Sequence, residues 1–197
     1  MEIVIASSNK GKIKEIQEIL NNYKIISLKE LNIDINIEIK EDGKTFLENA
    51  IKKATEISKF VDGKLSIADD SGIEIEYLNG FPGVHTKRWM EGTDRQRNLA
   101  ILDKLKGVPK EKRKITFITA IALTDGKDLI TAEGKIDGYV SENIRGKNGF
   151  GFDEIFELND GRTLAELSSD EKNEISSRRK ALEILKTKLL QINKLTY

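Results

Sequence analysis

Short apolar runs alternate with apolar residues at helical spacing along this chain, and that alternation constrains the fold more than any other feature. Ile3 to Ala6 reads as a buried strand. The polar stretch Ser7-Ser8-Asn9-Lys10-Gly11-Lys12 follows, and Ile13, Ile16, Ile19 and Leu20 then recur at the period of a helix running to about Asn21. Lys24 to Leu28 reads as a second strand. Thr45 and Glu48 have capping-box spacing and open a helix with Phe46, Ala50, Ile51, Ala54 and Ile57 on one face. Leu65 to Ala68 predicts a short strand ending at an aspartate pair, and Ile73 to Tyr77 alternates like a separate, half-exposed strand. Asp94 to Leu105 is helical. Ile115 to Leu123 and Leu129 to Ile136 read as a hairpin with Asp125-Gly126 in its turn. Ser168 and Glu171 form a second capping box, which predicts one C-terminal helix through Ile175, Leu182, Leu185 and Leu189. Alternating strands and helices around a hairpin predict an α/β fold, a mixed central sheet flanked by helices. With no repeat and no low-complexity linker, residues 1–197 read as one continuous unit.

Composition narrows the chemistry. The chain has no cysteine and one histidine, His85. Disulfides, thiolate nucleophiles, Cys-ligated zinc and multi-histidine metal sites are therefore excluded. Any metal must be held by oxygen, which points to Mg²⁺, Mn²⁺ or Ca²⁺. Lys plus Arg equals Asp plus Glu, at 33 each, so no stable nucleic-acid binding is expected. No apolar run approaches the roughly 20 residues that span a bilayer, and Met1 to Ala6 is too short and acidic for a secretory signal. The expectation is a cytoplasmic chain with no membrane association.

Six constellations can carry chemistry, and each has a plain structural reading beside the functional one. Ser7 to Lys12 lies between a strand and a helix, where free backbone N–H groups and a positive dipole end suit phosphate; it can equally be a polar connection with Gly11 as its turn. Its spacing is not that of a Walker A loop. Glu41-Asp42-Gly43 precedes the Thr45 helix, and its acids either serve a site or complement the helix dipole. Lys53 is either a ligand or a solvated surface residue. Ala68-Asp69-Asp70-Ser71-Gly72 places two carboxylates after an apolar strand, which reads as a cation site or as an exposed turn. If alternation holds there, one carboxylate serves the metal and the other anchors the loop.

Gly80-Phe81-Pro82-Gly83 shapes a loop before His85, a general base or a structural hydrogen-bonder. Gly149-Phe150-Gly151-Phe152-Asp153 offers a stacking ring and a carboxylate, or a core plug beneath a loop. Lys172, Ser177, Arg178 and Arg179 are phosphate or carbonyl contacts, or an ordinary charged helix face.

The order of these segments resembles the inosine triphosphate pyrophosphatase family, which hydrolyses non-standard purine triphosphates such as ITP, dITP and XTP. The resemblance runs from about Ile3 to about Leu185 and implies two lobes with a cleft between them. It also implies a single nucleoside triphosphate pyrophosphatase domain over 1–197. It maps the substrate-phosphate loop to Ser7, Ser8, Asn9, Lys10, Gly11 and Lys12, a metal-linked acid to Glu41, and a basic phosphate contact to Lys53. Asp70 takes the place of general base and metal-associated carboxylate, with Ser71 a neighbouring substrate contact. Base recognition maps to Phe150, Gly151, Phe152 and Asp153, and the late contacts to Lys172, Ser177 and Arg178. The chain departs from the family pattern twice: Ser8 stands where glycine is usual, and Ser177 where histidine is usual.

The implied chemistry is Mg²⁺-assisted attack of water on the α-phosphorus, with Mn²⁺ a possible substitute. A homodimer is also implied, with Trp89 as a plausible interface anchor. Two alternatives stand beside this reading: a pyrophosphatase for modified pyrimidine triphosphates, and a non-catalytic nucleotide-binding module.

Overall fold

A computed structural model of the protein describes residues 2–7, 9–31 and 39–195. Ser8, expected in the phosphate loop, lies outside the described residues. The sheet has six strands in the order β2-β1-β3-β4-β5-β6. They are β1 (Glu2–Ile5), β2 (Lys24–Ser27), β3 (Leu65–Ile75), β4 (Lys114–Thr124), β5 (Leu129–Val140) and β6 (Phe156–Glu157). β1 pairs parallel with both β2 and β3, and β5 pairs antiparallel with β6, so the sheet is mixed. Among the described residues five α-helices accompany it: α1 (Lys10–Ile19), α2 (Phe46–Ser58), α3 (Asp94–Lys104), α4 (Ser169–Ile175) and α5 (Ser177–Leu195). Among the described residues no helix is long and apolar enough to cross a membrane.

The chain divides into two compact units. One comprises residues 1–71, 119–134 and 177–197; the other comprises 72–118 and 135–176. In the first, β1 is buried on both faces, as a parallel strand covered on both sides must be. Ile3 and Ile5 join Ile16 and Leu20 of α1, Ile67 of β3 and Ala181, Leu182 and Leu185 of α5 in one apolar cluster. Val4, one position out of phase, packs instead with Ile57 and Val61 at the end of α2. Alternate residues of these strands therefore address α1 and α5 on one side and α2 on the other. In the second unit, Ile101 and Leu105 at the end of α3 pack with Ile73, Ile75, Ile115, Ile136, Phe152 and Phe156.

Two expectations about elements are corrected. Leu65 to Ile75 is one strand of eleven residues, with no turn at Asp69-Asp70. Tyr77 lies beyond it in a single 3-10 turn, Glu76–Leu78. The C-terminal helix is two helices, because Ser176 is extended (φ −61°, ψ 149°) and ends α4 directly before α5. The capping box that starts α4 is present in full, with Ser168 Oγ accepting from Glu171 N and Glu171 returning to Ser168 N. The box at α2 is half formed. Thr45 accepts from Glu48 N, but the Glu48 carboxylate accepts from Lys44 N, one residue earlier.

Candidate active site

β3 carries the aspartate pair through the first unit, and strand alternation separates the two side chains. Asp69 is in phase with Ile67 and so meets α1 and α5. Its Oδ2 lies 2.9 Å from Lys12 Nζ and 3.1 Å from Arg178 Nη2, and accepts from Ser71 Oγ at 2.7 Å. Arg178 also pairs with Glu15 of α1. Asp70 faces α2: its Oδ2 accepts from Asn49 Nδ2 and its Oδ1 from Lys53 Nζ, each at 3.0 Å. Lys53 reaches Glu41 Oε1 at 2.8 Å as well. Asn49 Oδ1 accepts from Gly43 N, which ties the segment before α2 to the same place.

These groups are buried: Asp69 is 3% exposed, Asp70 8%, Lys53 9% and Arg178 5%. The reading of Lys53 as a solvated surface residue is thereby corrected. Burial disfavours an ionised Asp69, but the charges of Lys12, Arg178 and Lys53 outweigh it and hold the carboxyl far below the ordinary carboxylate range. Burial also works against Lys53 and Arg178. Nevertheless Asp70, Asp69 and Glu41 raise the first, and Asp69 and Glu15 the second. For Lys12, burial prevails over Asp69 and lowers the ammonium pKa. Asp69 thus ties α1, β3 and α5 together through its cation partners, while Asp70 presents a carboxyl oriented by an amide and a shared ammonium.

The loop before α1 differs from its expected form. Asn9 is the N-cap, and its Oδ1 accepts from Gly11 N at 2.9 Å and Lys12 N at 3.3 Å. Ser7 Oγ accepts from Asn9 N. Two of the first-turn donors expected to be open to phosphate are therefore taken by the cap, an arrangement worth about 1 kcal/mol to the helix. Lys10 is exposed at the helix start. Ser177, expected to reach substrate, is 4% exposed, and its hydroxyl lies 2.8 Å from Thr119 Oγ1.

The second unit holds the remaining predicted residues. Asp153 is 1% exposed, and its Oδ2 accepts from Phe150 N at 2.8 Å and Lys172 Nζ at 2.7 Å. Lys172 Nζ stands 4.4 Å from the centre of the Phe150 ring, a cation–π contact. Phe152 is 5% exposed within the apolar cluster and is a core plug, not a stacking surface. Asp153 likewise fastens the loop from within. His85 is an exposed residue of the 3-10 turn Gly83–His85. Trp89 is half-buried and stands edge-on against Phe81, ring centres 5.0 Å apart.

Four residues escaped the sequence reading: Glu15, Asn49, Asp94 and Asn98. A signal existed for Asn49 and Lys53. They share the buried stripe of Phe46, Ala50, Ala54 and Ile57 on α2, so polar side chains interrupt an apolar face. Glu15 lies one turn from Lys12, and Asn98 one turn from the buried Ile101.

As to metal, no group of three or more His, Asp or Glu residues gathers among the described residues. Mg²⁺, however, commonly takes one or two carboxylates and completes its shell with phosphate and water. Glu41 and Asp70 converge on one ammonium. Around them Lys12, Lys53 and Arg178 pair with Glu15, Glu41, Asp69 and Asp70. Glu41 and Asp70 are hard oxygen donors beside a cluster of cations, a set that fits a magnesium ion arriving with a polyphosphate.

Residues 3–188 match the Ham1 family. The chain is 46% identical over 204 residues to a dITP/XTP pyrophosphatase of Clostridium perfringens, covering 98% of this chain and 99% of that protein. It is 47% identical over 196 residues to one of Bacillus subtilis, covering 96% and 97%. The solved structure of the Staphylococcus aureus Ham1 protein superposes with a TM-score of 0.85 at 35% identity, covering 97% of this chain and 99% of that one. A HAM1 protein from Coxiella burnetii gives 0.86 at 39% identity, with the same coverage.

Proposed function

The chain belongs to the Ham1 family, and on that premise we propose that it hydrolyses non-standard purine nucleoside triphosphates, dITP, XTP and ITP, to the monophosphate and pyrophosphate. The names of its relatives supply the substrate class. The observation that carries the reading in this chain is the split of the aspartate pair, with Asp69 committed to Lys12 and Arg178 while Asp70 faces Asn49 and Lys53.

In this proposal Asp70 is the general base. Held by Asn49 and Lys53, its carboxylate takes a proton from a water molecule whose oxygen attacks the α-phosphorus. The α–β anhydride bond breaks and pyrophosphate leaves with the bonding electrons. Lys53 and Lys12 would share phosphate charge with their present carboxylate partners. Glu41 and Asp70 would hold Mg²⁺, or Mn²⁺ in its place, together with phosphate oxygens. When bound, the ion supplies neutralisation of the triphosphate charge. For the base, Phe150 offers an aromatic face and Lys172 a donor suited to the 6-oxo group of hypoxanthine or xanthine, where adenine presents a donor of its own. Ser177, tied to Thr119, takes no part. A homodimer in the cytoplasm belongs to the same proposal and is read by sedimentation mass and cell fractionation.

The test is Asp70→Asn assayed with ITP and Mg²⁺. Hydrolysis should fall by about 10²- to 10⁴-fold with the urea midpoint little changed. A folded variant that keeps hydrolysis within a few-fold of the parent overturns the assignment. Methylated pyrimidine triphosphates in the same assay should be poor substrates.

A further inference from the structure

The Gly149–Asp153 segment belongs to no strand or long helix, and Gly149 and Gly151 both adopt left-handed backbone, at φ +78° and +67°. Within it Phe150 O accepts from Asp153 N at 3.4 Å and Asp153 Oδ2 from Phe150 N at 2.8 Å, while the Gly151 peptide between them is held from outside. Helix α3 does this with one face. Asp94 Oδ2 accepts from Gly151 N at 2.9 Å, and Asn98 Nδ2, four residues on, donates to Gly151 O at 3.0 Å. Both backbone polar groups of a single glycine are thus gripped by an i, i+4 pair. Asn98 also donates to Glu154 Oε2 at 3.1 Å, and Arg95 pairs with Glu154 at 3.3 Å.

Asp94 serves α3 as a first-turn acid and as the i, i+3 partner of Arg97, but these uses leave one carboxylate oxygen over. Thr93 and Gln96 complete the capping box of α3 between them, so Asp94 is not needed as the cap. Its Oδ1 pairs with Arg97, leaving Oδ2 for Gly151. Asn98 is fully buried, and its Oδ1 has no hydrogen-bond partner among the described residues. An orphaned buried oxygen costs folding free energy that an apolar residue at this position would avoid.

We infer that Asp94 and Asn98 are positioning residues for recognition of the purine base, locking the Gly151 peptide so that Phe150 and Lys172 meet the base in one fixed geometry. The inference rests on the purine triphosphatase reading above. Asp94 and Asn98 touch no substrate themselves. They act through Gly151, from which the chain reaches Asp153, the carboxylate that holds both Phe150 N and Lys172. Releasing the clamp should loosen base recognition while leaving Asp70 and its partners as they are.

The experiment compares Asp94→Ala, Asp94→Asn and Asn98→Ala in the full chain, with ITP and ATP as substrates and amide exchange at Gly151 followed by NMR in the free protein. In Asp94→Ala the KM for ITP should rise about tenfold, kcat should change less than about twofold, and the preference for ITP over ATP should fall about tenfold. Gly151 N–H should exchange at least about tenfold faster. Asp94→Asn keeps an accepting oxygen and should restore both readouts to within about threefold of the parent. Asn98→Ala should follow Asp94→Ala if it folds; Asp94 is half exposed, so its variants decide the matter alone. Gly151 exchange at the parental rate in Asp94→Ala overturns the clamp. Faster exchange with unchanged KM and unchanged preference overturns its role in recognition. A parent chain that hydrolyses no purine triphosphate overturns the function itself, a result plainly separate from either.

Discussion

Asp69 and Asp70 are neighbours in sequence with different partners on opposite sides of β3, Lys12 and Arg178 for the first, Asn49 and Lys53 for the second. Asp69 is surrounded by Lys12, Arg178 and, at longer range, Lys53, and its pKa is held far below the usual value. A depressed folded-state pKa contributes stability that is complete above the unfolded value of about 4 and is lost only as pH falls through the lower folded value. Asp69→Ala should therefore cost about 3 kcal/mol at neutral pH, read from urea midpoints, because Arg178 and Lys12 lose a buried partner. The parent and variant curves should begin to converge only below about pH 4. Sequence alone left the choice between anchor and ligand open for this pair. The partners are tertiary: the cations that hold Asp69 come from positions 12 and 178, and no local pattern announces contacts of that range. Asn49 was more accessible to reading, since an amide on the apolar stripe of α2 is locally inconsistent and so marks a site.

At the level of elements, most strands and helices followed from periodicity, with ends within one or two residues for β1, β2 and α3. The two corrections have separate causes. Asp69-Asp70 reads as a turn because two adjacent charges are costly in a strand interior, yet α1, α2 and α5 supply their counter-charges and β3 runs on. Ser176 reads as helix interior because the apolar period continues across it, but the chain is extended there and α5 begins afresh at Ser177. That start is packed without slack. A Cβ on Gly134 of β5 would run into the Ser177 carbonyl and would approach the Ala181 nitrogen to 2.6 Å. Gly134→Ala should accordingly cost about 1–3 kcal/mol, a fall in Tm of a few degrees for a chain of this size. Since Arg178 follows Ser177 directly, activity should fall in the same variant at temperatures well below its Tm. Thermal melts and initial rates on one preparation separate the two effects.

For the molecule as a whole, equal numbers of acidic and basic residues place the chemistry in local charge rather than in a global field. The ion pairs of the first unit are satisfied by the chain's own cations, so metal removal should not unfold it. Chelation with EDTA is expected to abolish ITP hydrolysis while leaving the thermal midpoint within about 2 °C of that in Mg²⁺. A large loss of midpoint would mean that the ion is structural. One consequence of the aspartate pair concerns how the chain can change length. Which of the two carboxylates meets α2 is fixed by whether its position along β3 is odd or even. A single-residue insertion or deletion between Leu65 and Asp69 would exchange the partners of both, whereas a change of two residues would restore each to its own side. Lineages descended from such a chain should tolerate length changes upstream of the pair only in even steps, a parity rule written into the pleat of one strand.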